Sequence, residues 1–239
     1  DRRMPEEINR ILTDAISDLL FVTEKSGKEN LLREGIDPGR IHVVGNVMID
    51  TLLKNRAKAE ASTILDELGL DGKPYAALTL HRPANVDDPV VLAGLLDALE
   101  EISRDMPIIF PIHPRTRKNI DGSPLAGRVA GMRNLTLLDP LGYLDFLKLT
   151  GSARLVLTDS GGIQEETTIL QVPCLTLREN TERPITAEVG SNRIVGTDPA
   201  TILAAYREAM SDTARKPRIP DLWDGRAAGR IARVLVETL

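Results

Sequence analysis

The chain has 239 residues, 42% hydrophobic and 27% charged, with a formal net charge of −5. That is an ordinary globular composition, sized for one large or two modest domains. Interspersed charges of both signs disfavour a general nucleic-acid binder, and no apolar run approaches the ~20 residues that span a bilayer, so neither nucleic acid nor membrane is an expected partner.

Pro5, followed by Glu6 and Glu7, opens a predicted helix over residues 5–18, with Ile8, Ile11, Leu12, Ala15 and Ile16 on one face. A short strand at 19–22 follows. Thr23 is expected to cap a helix that stops at Gly35. Residues 41–44 read as a strand in which His42 alternates with apolar neighbours, which favours a structural role over chemistry. Helical stretches at 47–57 and 59–69 look like a connection between two lobes. From Tyr75 a regular alternation begins: strand 75–80, helix 87–103, strand 108–110, a short basic helix after Pro114, strand 135–138, helix 142–149, strand 155–158, helix 162–170, strand 174–177, a short strand at 193–195 and helix 199–211. Arg183-Pro184 reads as a turn, and 224–238 as a terminal helix. Strands and helices alternating at this spacing define an α/β fold, a parallel sheet with helices on both faces. The single cysteine, Cys174, permits no internal disulfide and no signal peptide is visible, so a cytoplasmic location is expected.

Such a sheet binds ligands at the carboxyl ends of its strands, and the unusual residues fall there. His81-Arg82 follow one strand, His113 another, Ser160-Gly161-Gly162 a third and Arg178 a fourth. Cations beside a glycine turn that opens a helix describe a site for phosphorylated ligands. Ser160-Gly161-Gly162 also has a plain reading, a packing turn with Ser160 as N-cap. His81 is either a satisfied strand-end histidine or a group that stabilises a leaving anion. Glu6 and Glu7 read best as carboxylates at a helix N-terminus. Neither Gly-x-x-x-x-Gly-Lys-Ser/Thr nor Gly-x-Gly-x-x-Gly occurs, so ATP-type hydrolysis and dinucleotide binding are disfavoured and no cofactor is expected. No cluster has zinc-ligand spacing, and Ser160 is not in a Gly-x-Ser-x-Gly elbow.

A set of motifs runs through the chain in order: Met4-Pro5-Glu6-Glu7-Ile8-Asn9-Arg10, Val44-Gly45-Asn46-Val47-Met48-Ile49-Asp50, Thr79-Leu80-His81-Arg82-Pro83-Ala84-Asn85, Pro111-Ile112-His113-Pro114, Asp159-Ser160-Gly161-Gly162-Ile163-Gln164-Glu165-Glu166, Arg178-Glu179-Asn180-Thr181-Glu182-Arg183-Pro184 and Trp223-Asp224-Gly225-Arg226-Ala227. As a set it resembles the non-hydrolysing UDP-N-acetylglucosamine 2-epimerases. The resemblance implies Rossmann-like lobes in the glycosyltransferase B arrangement: 1–46 the end of an N-terminal lobe, 47–222 a nucleotide-binding lobe, and 223–239 a helix returning towards the first. It implies UDP-N-acetylglucosamine and UDP as ligands, and a homodimer for the full-length form. Ser160, Gly161 and Gly162 would hold the diphosphate, Glu166 the ribose, Phe146 would lie by the uracil, Arg10 would reach the phosphates, His81 would stabilise departing UDP, and Glu6 matches a carboxylate assigned to acid–base work. His113, Arg82 and Arg178 join the UDP site from their place on the sheet edge.

Family members carry a fuller N-terminal lobe, so this chain is expected to bind UDP weakly and turn over little, with residues 5–46 less ordered or covered by another chain. His81-Arg82-Pro83-Ala84-Asn85 stands where bacterial members have His-Arg-Arg-Glu-Asn, which puts activation by substrate in doubt. A glycosyltransferase of the same architecture, a non-catalytic UDP-sugar-binding module and a hydrolysing epimerase are the rival readings.

Overall fold

The computed structural model describes residues 5–211 and 216–238; Met4 of the first motif lies outside them. In chain order the elements are α1 (Pro5–Ile16), β1 (Leu20–Val22), α2 (Lys25–Arg33), a 3₁₀ turn (Pro38–Arg40), β2 (Ile41–Val43), α3 (Val47–Ala59), α4 (Ile64–Glu67), β3 (Ala76–Thr79), α5 (Pro83–Val86), α6 (Pro89–Asp105), β4 (Ile108–Pro111), α7 (Pro114–Asp121), α8 (Leu125–Gly131), β5 (Leu135–Leu138), α9 (Tyr143–Gly151), β6 (Leu155–Thr158), α10 (Gly161–Leu170), β7 (Cys174–Thr176), α11 (Pro184–Glu188), β8 (Asn192–Ile194), α12 (Pro199–Met210) and α13 (Ala227–Thr238). Contacts divide the chain into two compact units. One holds the residues up to Lys54 and those from Asp221 on; the other runs from Asn55 to Pro220.

The larger unit is a six-stranded parallel sheet in the order β5-β4-β3-β6-β7-β8. Successive strand residues point to opposite faces, and both faces are apolar, as expected where helices cover both sides. Ala76, Leu78, Phe110 and Leu157 pack with Leu92, Leu95 and Leu99 of α6 and Ile202 of α12. Tyr75, Ala77, Ile109 and Val156 pack the other way, with Ile64 and Leu65 of α4 and Leu149 of α9. Cys174 is fully buried in the second layer, and burial pushes its thiol up to about 12, so it is inert at neutral pH.

The smaller unit pairs β1 with β2 in parallel over a core of Leu20, Leu31 and Ile41. His42 has the structural place expected of it, its ring 5.8 Å from that of Phe21. Gly45 has φ +89, and a Cβ there would stand 2.1 Å from the Leu222 carbonyl oxygen, so only glycine fits. Asp50 caps α13 by accepting from the Ala227 and Ala228 N–H groups, and the buried Trp223 donates through Nε1 to the Thr23 carbonyl at 3.3 Å. The predicted apolar stripe of α1 is present, but Ile8, Leu12 and Ile16 are exposed.

Several local expectations change. The N-cap of α2 is Glu24 rather than Thr23. The helix expected at 87–103 is α6, which starts at Pro89 behind its N-cap Asp88, whose side chain accepts from the Val90 and Val91 N–H groups; the short α5, which ends at Val86 with Asp87 as C-cap, precedes it and was not expected. Val90, in the first turn of α6, is exposed although apolar. α8 was not expected, and the Arg183-Pro184 turn is the start of α11. Gly161 and Gly162 are the first residues of α10 with no positive φ, not a separate tight turn.

Candidate functional site

From β3 the strand order runs through β4 and β5 to one edge and through β6 and β7 to the other, so β3 and β6 flank the point where the topology reverses. The cleft outside such a point is where open α/β sheets hold ligands. His81 follows β3 here and Asp159 follows β6. Asp159 is fully buried, and its carboxylate is saturated with donors. It accepts from the His81 N–H at 2.9 Å, the Arg82 N–H at 2.8 Å and Asn85 Nδ2 at 3.3 Å, and its Oδ1 lies 2.9 Å from His81 Nδ1. A buried charge is tolerable only with this many partners. The result is a fixed imidazole: Nδ1 carries the proton that faces Asp159, and Nε2 is left for chemistry. Asn85 also donates to the Leu177 carbonyl at 2.8 Å, so one amide joins the ends of β3, β6 and β7.

His113, the N-cap of α7, accepts from the Arg115 N–H through Nδ1 at 3.2 Å, and its ring centroid lies 6.1 Å from that of His81. Thr116 donates to the Leu80 carbonyl at 2.6 Å and anchors α7 to the end of β3.

α10 begins beside this pair. The Ser160 N–H is satisfied by Thr158 Oγ1 at 3.0 Å, and the Ser160 side chain makes no capping bond, so the plain N-cap reading fails for its hydroxyl. A Cβ on Gly162 would meet nothing within 4 Å, and one on Gly161 would meet only a Glu182 carboxylate oxygen at 3.8 Å. Glycine is a poor helix former, about 1 kcal/mol worse than alanine, and the protein's own packing does not demand it at either position. Bare backbone at a helix N-terminus is what an anion needs for close approach.

One turn further on, Glu166 is 7% exposed, and its Oε2 is buried without a hydrogen-bond partner among the described residues. Burial pushes its carboxyl up to about 7; the Tyr143 hydroxyl opposes that by hydrogen-bonding to the charged form, and the neighbouring Glu165 reinforces it. Glu165 is itself buried and paired with Arg183, Nε to Oε1 at 2.6 Å. Tyr143 and Phe146 are three residues apart on α9, on one face, and Phe146 is half-buried.

Arg178 and Arg82 flank the turn. Arg178 is bidentate on Glu182, and Arg82 Nη2 lies 4.0 Å from the same carboxylate. The other two predicted residues lie on α1 in the smaller unit. Glu6 is exposed, and Arg10 is held by Glu7, Glu34 and Asp14 at 2.6–3.0 Å. The structure thus gathers His81, Arg82, His113, Ser160, Gly161, Gly162, Glu166 and Arg178 on one sheet edge. Sequence reasoning missed Asp159, Asn85 and Tyr143 as working members of that edge. The signal for Asp159 was a carboxylate directly between an apolar strand and the glycine turn. Among the described residues no group of three or more His, Cys, Asp or Glu is arranged to hold a metal, and no helix is long and apolar enough to cross a membrane.

Residues 1–236 match the family described as UDP-N-acetylglucosamine 2-epimerase. The chain belongs to that family. It is 44% identical to the UDP-N-acetylglucosamine 2-epimerase of Methanocaldococcus jannaschii over 98% of this chain and 65% of that protein. It is 38% identical to the UDP-2,3-diacetamido-2,3-dideoxy-D-glucuronate 2-epimerase of Pseudomonas aeruginosa over 98% of this chain and 64% of that one. The crystal structure of the M. jannaschii epimerase in complex with UDP-GlcNAc and UDP superposes with a TM-score of 0.89 at 42% identity, covering 99% of this chain and 66% of that chain. The chain therefore spans just under two thirds of the epimerases it resembles.

Proposed function

We propose that this chain carries the nucleotide site of a non-hydrolysing UDP-N-acetylglucosamine 2-epimerase. The observation that carries the reading is the fixed His81–Asp159 pair beside the bare first turn of α10, at the point where the sheet order reverses. The diphosphate lies on the N–H groups that open α10, and the Glu166 oxygen without a partner accepts from the ribose hydroxyls. Phe146 offers its ring to the uracil.

The reaction needs a proton taken from C2 of the sugar, the role the resemblance implies for Glu6. As that proton leaves, the C1–O bond breaks and its electron pair departs on UDP, giving a 2-acetamidoglucal. His81, held in orientation by Asp159, turns Nε2 towards the departing phosphate oxygen and is the group that meets the charge developing there. UDP then adds back at C1 and C2 receives a proton on the opposite face, so atoms and charge balance with no cofactor. A C2 proton is weakly acidic, and charge neutralisation on the leaving group is where the protein lowers the barrier most.

Titration calorimetry of the chain with UDP tests the site, and incubation of UDP-N-acetylglucosamine in deuterated water tests the chemistry. Whatever product forms is expected to be UDP-N-acetylmannosamine carrying deuterium at C2, even where turnover is small. Release of free N-acetylmannosamine would make the enzyme a hydrolysing one, and no UDP binding would overturn the reading. The Pseudomonas relative sets the rival substrate, a UDP-linked 2,3-diacetamido hexuronate; offering both sugars decides between them.

A further inference from the structure

Glu182 is a carboxylate standing where anions are favoured. It is bidentate with Arg178, Nη2 to Oε1 at 2.7 Å and Nη1 to Oε2 at 2.9 Å. Its Oε1 lies 4.0 Å from Arg82 Nη2, and its Oε2 is 3.8 Å from the position a Cβ on Gly161 would take. Two guanidinium groups and a helix N-terminus thus converge on one side chain. Those hydrogen bonds from Arg178 hold the Glu182 carboxyl down at about 2, so it is fully ionised at any working pH.

The fit is incomplete in a telling way. Arg82 Nε is buried without a hydrogen-bond partner among the described residues, and Glu182, bidentate on Arg178, stays 4.0 Å from Arg82 Nη2 and so does not hydrogen-bond both guanidinium groups. A diphosphate has the oxygens to do so. The side chain is also free to leave. Residues 177–183 form no helix or strand, yet their backbone is pinned on both sides of Glu182: Thr181 donates to the buried Gln164 at 2.6 Å and accepts from the Arg183 N–H at 2.9 Å. Arg178 keeps Asn180 Oδ1, at 3.2 Å, as a second partner when Glu182 moves away.

We infer that Glu182 is a built-in competitor for the nucleotide's phosphates: carboxylate and diphosphate take the same guanidinium pair at the mouth of α10, and the side chain swings out when the nucleotide enters. This rests on the UDP reading above. Breaking an exposed ion pair sets the scale of the effect, which is small but measurable.

The test is calorimetric binding of UDP and of uridine to the chain with its natural residue and with Glu182→Gln or Glu182→Ala. Both variants are expected to bind UDP about two- to fivefold tighter, with uridine affinity unchanged because uridine carries no phosphate. Isotope-labelled natural chain gives an independent reading: the Glu182 side-chain carboxyl signal moves on adding UDP and stays put with uridine. UDP affinity that is unchanged or weakened in both variants, with a carboxyl signal that stays still, overturns the inference while leaving the UDP site standing. Failure of every form to bind UDP or uridine overturns the nucleotide reading and this inference together.

Discussion

His81 Nδ1 stands 2.9 Å from Asp159 Oδ1, and the same carboxylate accepts the His81 main-chain N–H. One buried side chain therefore fixes both the backbone and the ring of the residue we propose faces the leaving group. Asp159→Asn places an amide NH₂ against donors that need an acceptor. Unfolding free energy is expected to fall by about 1–3 kcal/mol, the usual cost of an unsatisfied buried group. Nitrogen NMR of the His81 ring is expected to lose the single Nδ1–H tautomer. A variant with an unchanged tautomer would show that Asp159 supports the fold and does not orient the ring.

With the Glu166 carboxyl pushed up to about 7 by burial, the proposed ribose contact makes nucleotide affinity depend on pH. Ribose hydroxyls donate to the charged form, so binding releases a proton and affinity falls as pH drops below about 7, approaching tenfold per unit. Calorimetry in buffers of different protonation enthalpy reads the released proton. UDP titrates in the same region (a second phosphate pKa of about 6), so Glu166→Gln is the reference: its profile keeps the UDP contribution and loses the steeper one.

The same shift bears on stability. Relative to the ordinary value of 4.5, the folded pKa of Glu166 is raised, so its contribution is fully present below about 4.5 and is lost as pH rises through about 7. The loss is on the order of 3 kcal/mol. Glu166→Gln should therefore melt at higher temperature than the natural chain at pH 8 and about equally at pH 4.5, while binding UDP less well. Tyr143→Phe removes the hydrogen bond that favours the charged form and should move the Glu166 titration to higher pH.

Gly162→Ala separates folding from binding. The new methyl has open space in the protein and sits in a helix, so stability should hold or rise by up to about 1 kcal/mol. UDP affinity should drop by at least roughly tenfold as the methyl meets the phosphate. Equal UDP affinity would place the diphosphate elsewhere.

The sheet was legible because its strands are short apolar runs that need no context: 135–138 and 155–158 fall where the pattern puts them. α5, α8 and α11 were not, because helices of four to seven residues are too short to show a period. The site was legible as a set of residue types at strand ends. What joins them was not. Asn85 meets Leu177 across 92 residues of sequence, and the buried Gln164 amide accepts from Asn192 Nδ2 across 28. Polar groups in the interior obey the three-dimensional need for partners, which leaves no periodic trace in the chain.

Gly161 and Gly162 open α10 with main-chain donors and no side chains. A donor of that kind is abolished only by proline. The genetic code separates every glycine codon from every proline codon by two nucleotide changes. A single mutational step can therefore obstruct the anion grip proposed for this turn but cannot delete its donors, whereas His81, Glu166 and Arg178 are each one step from loss.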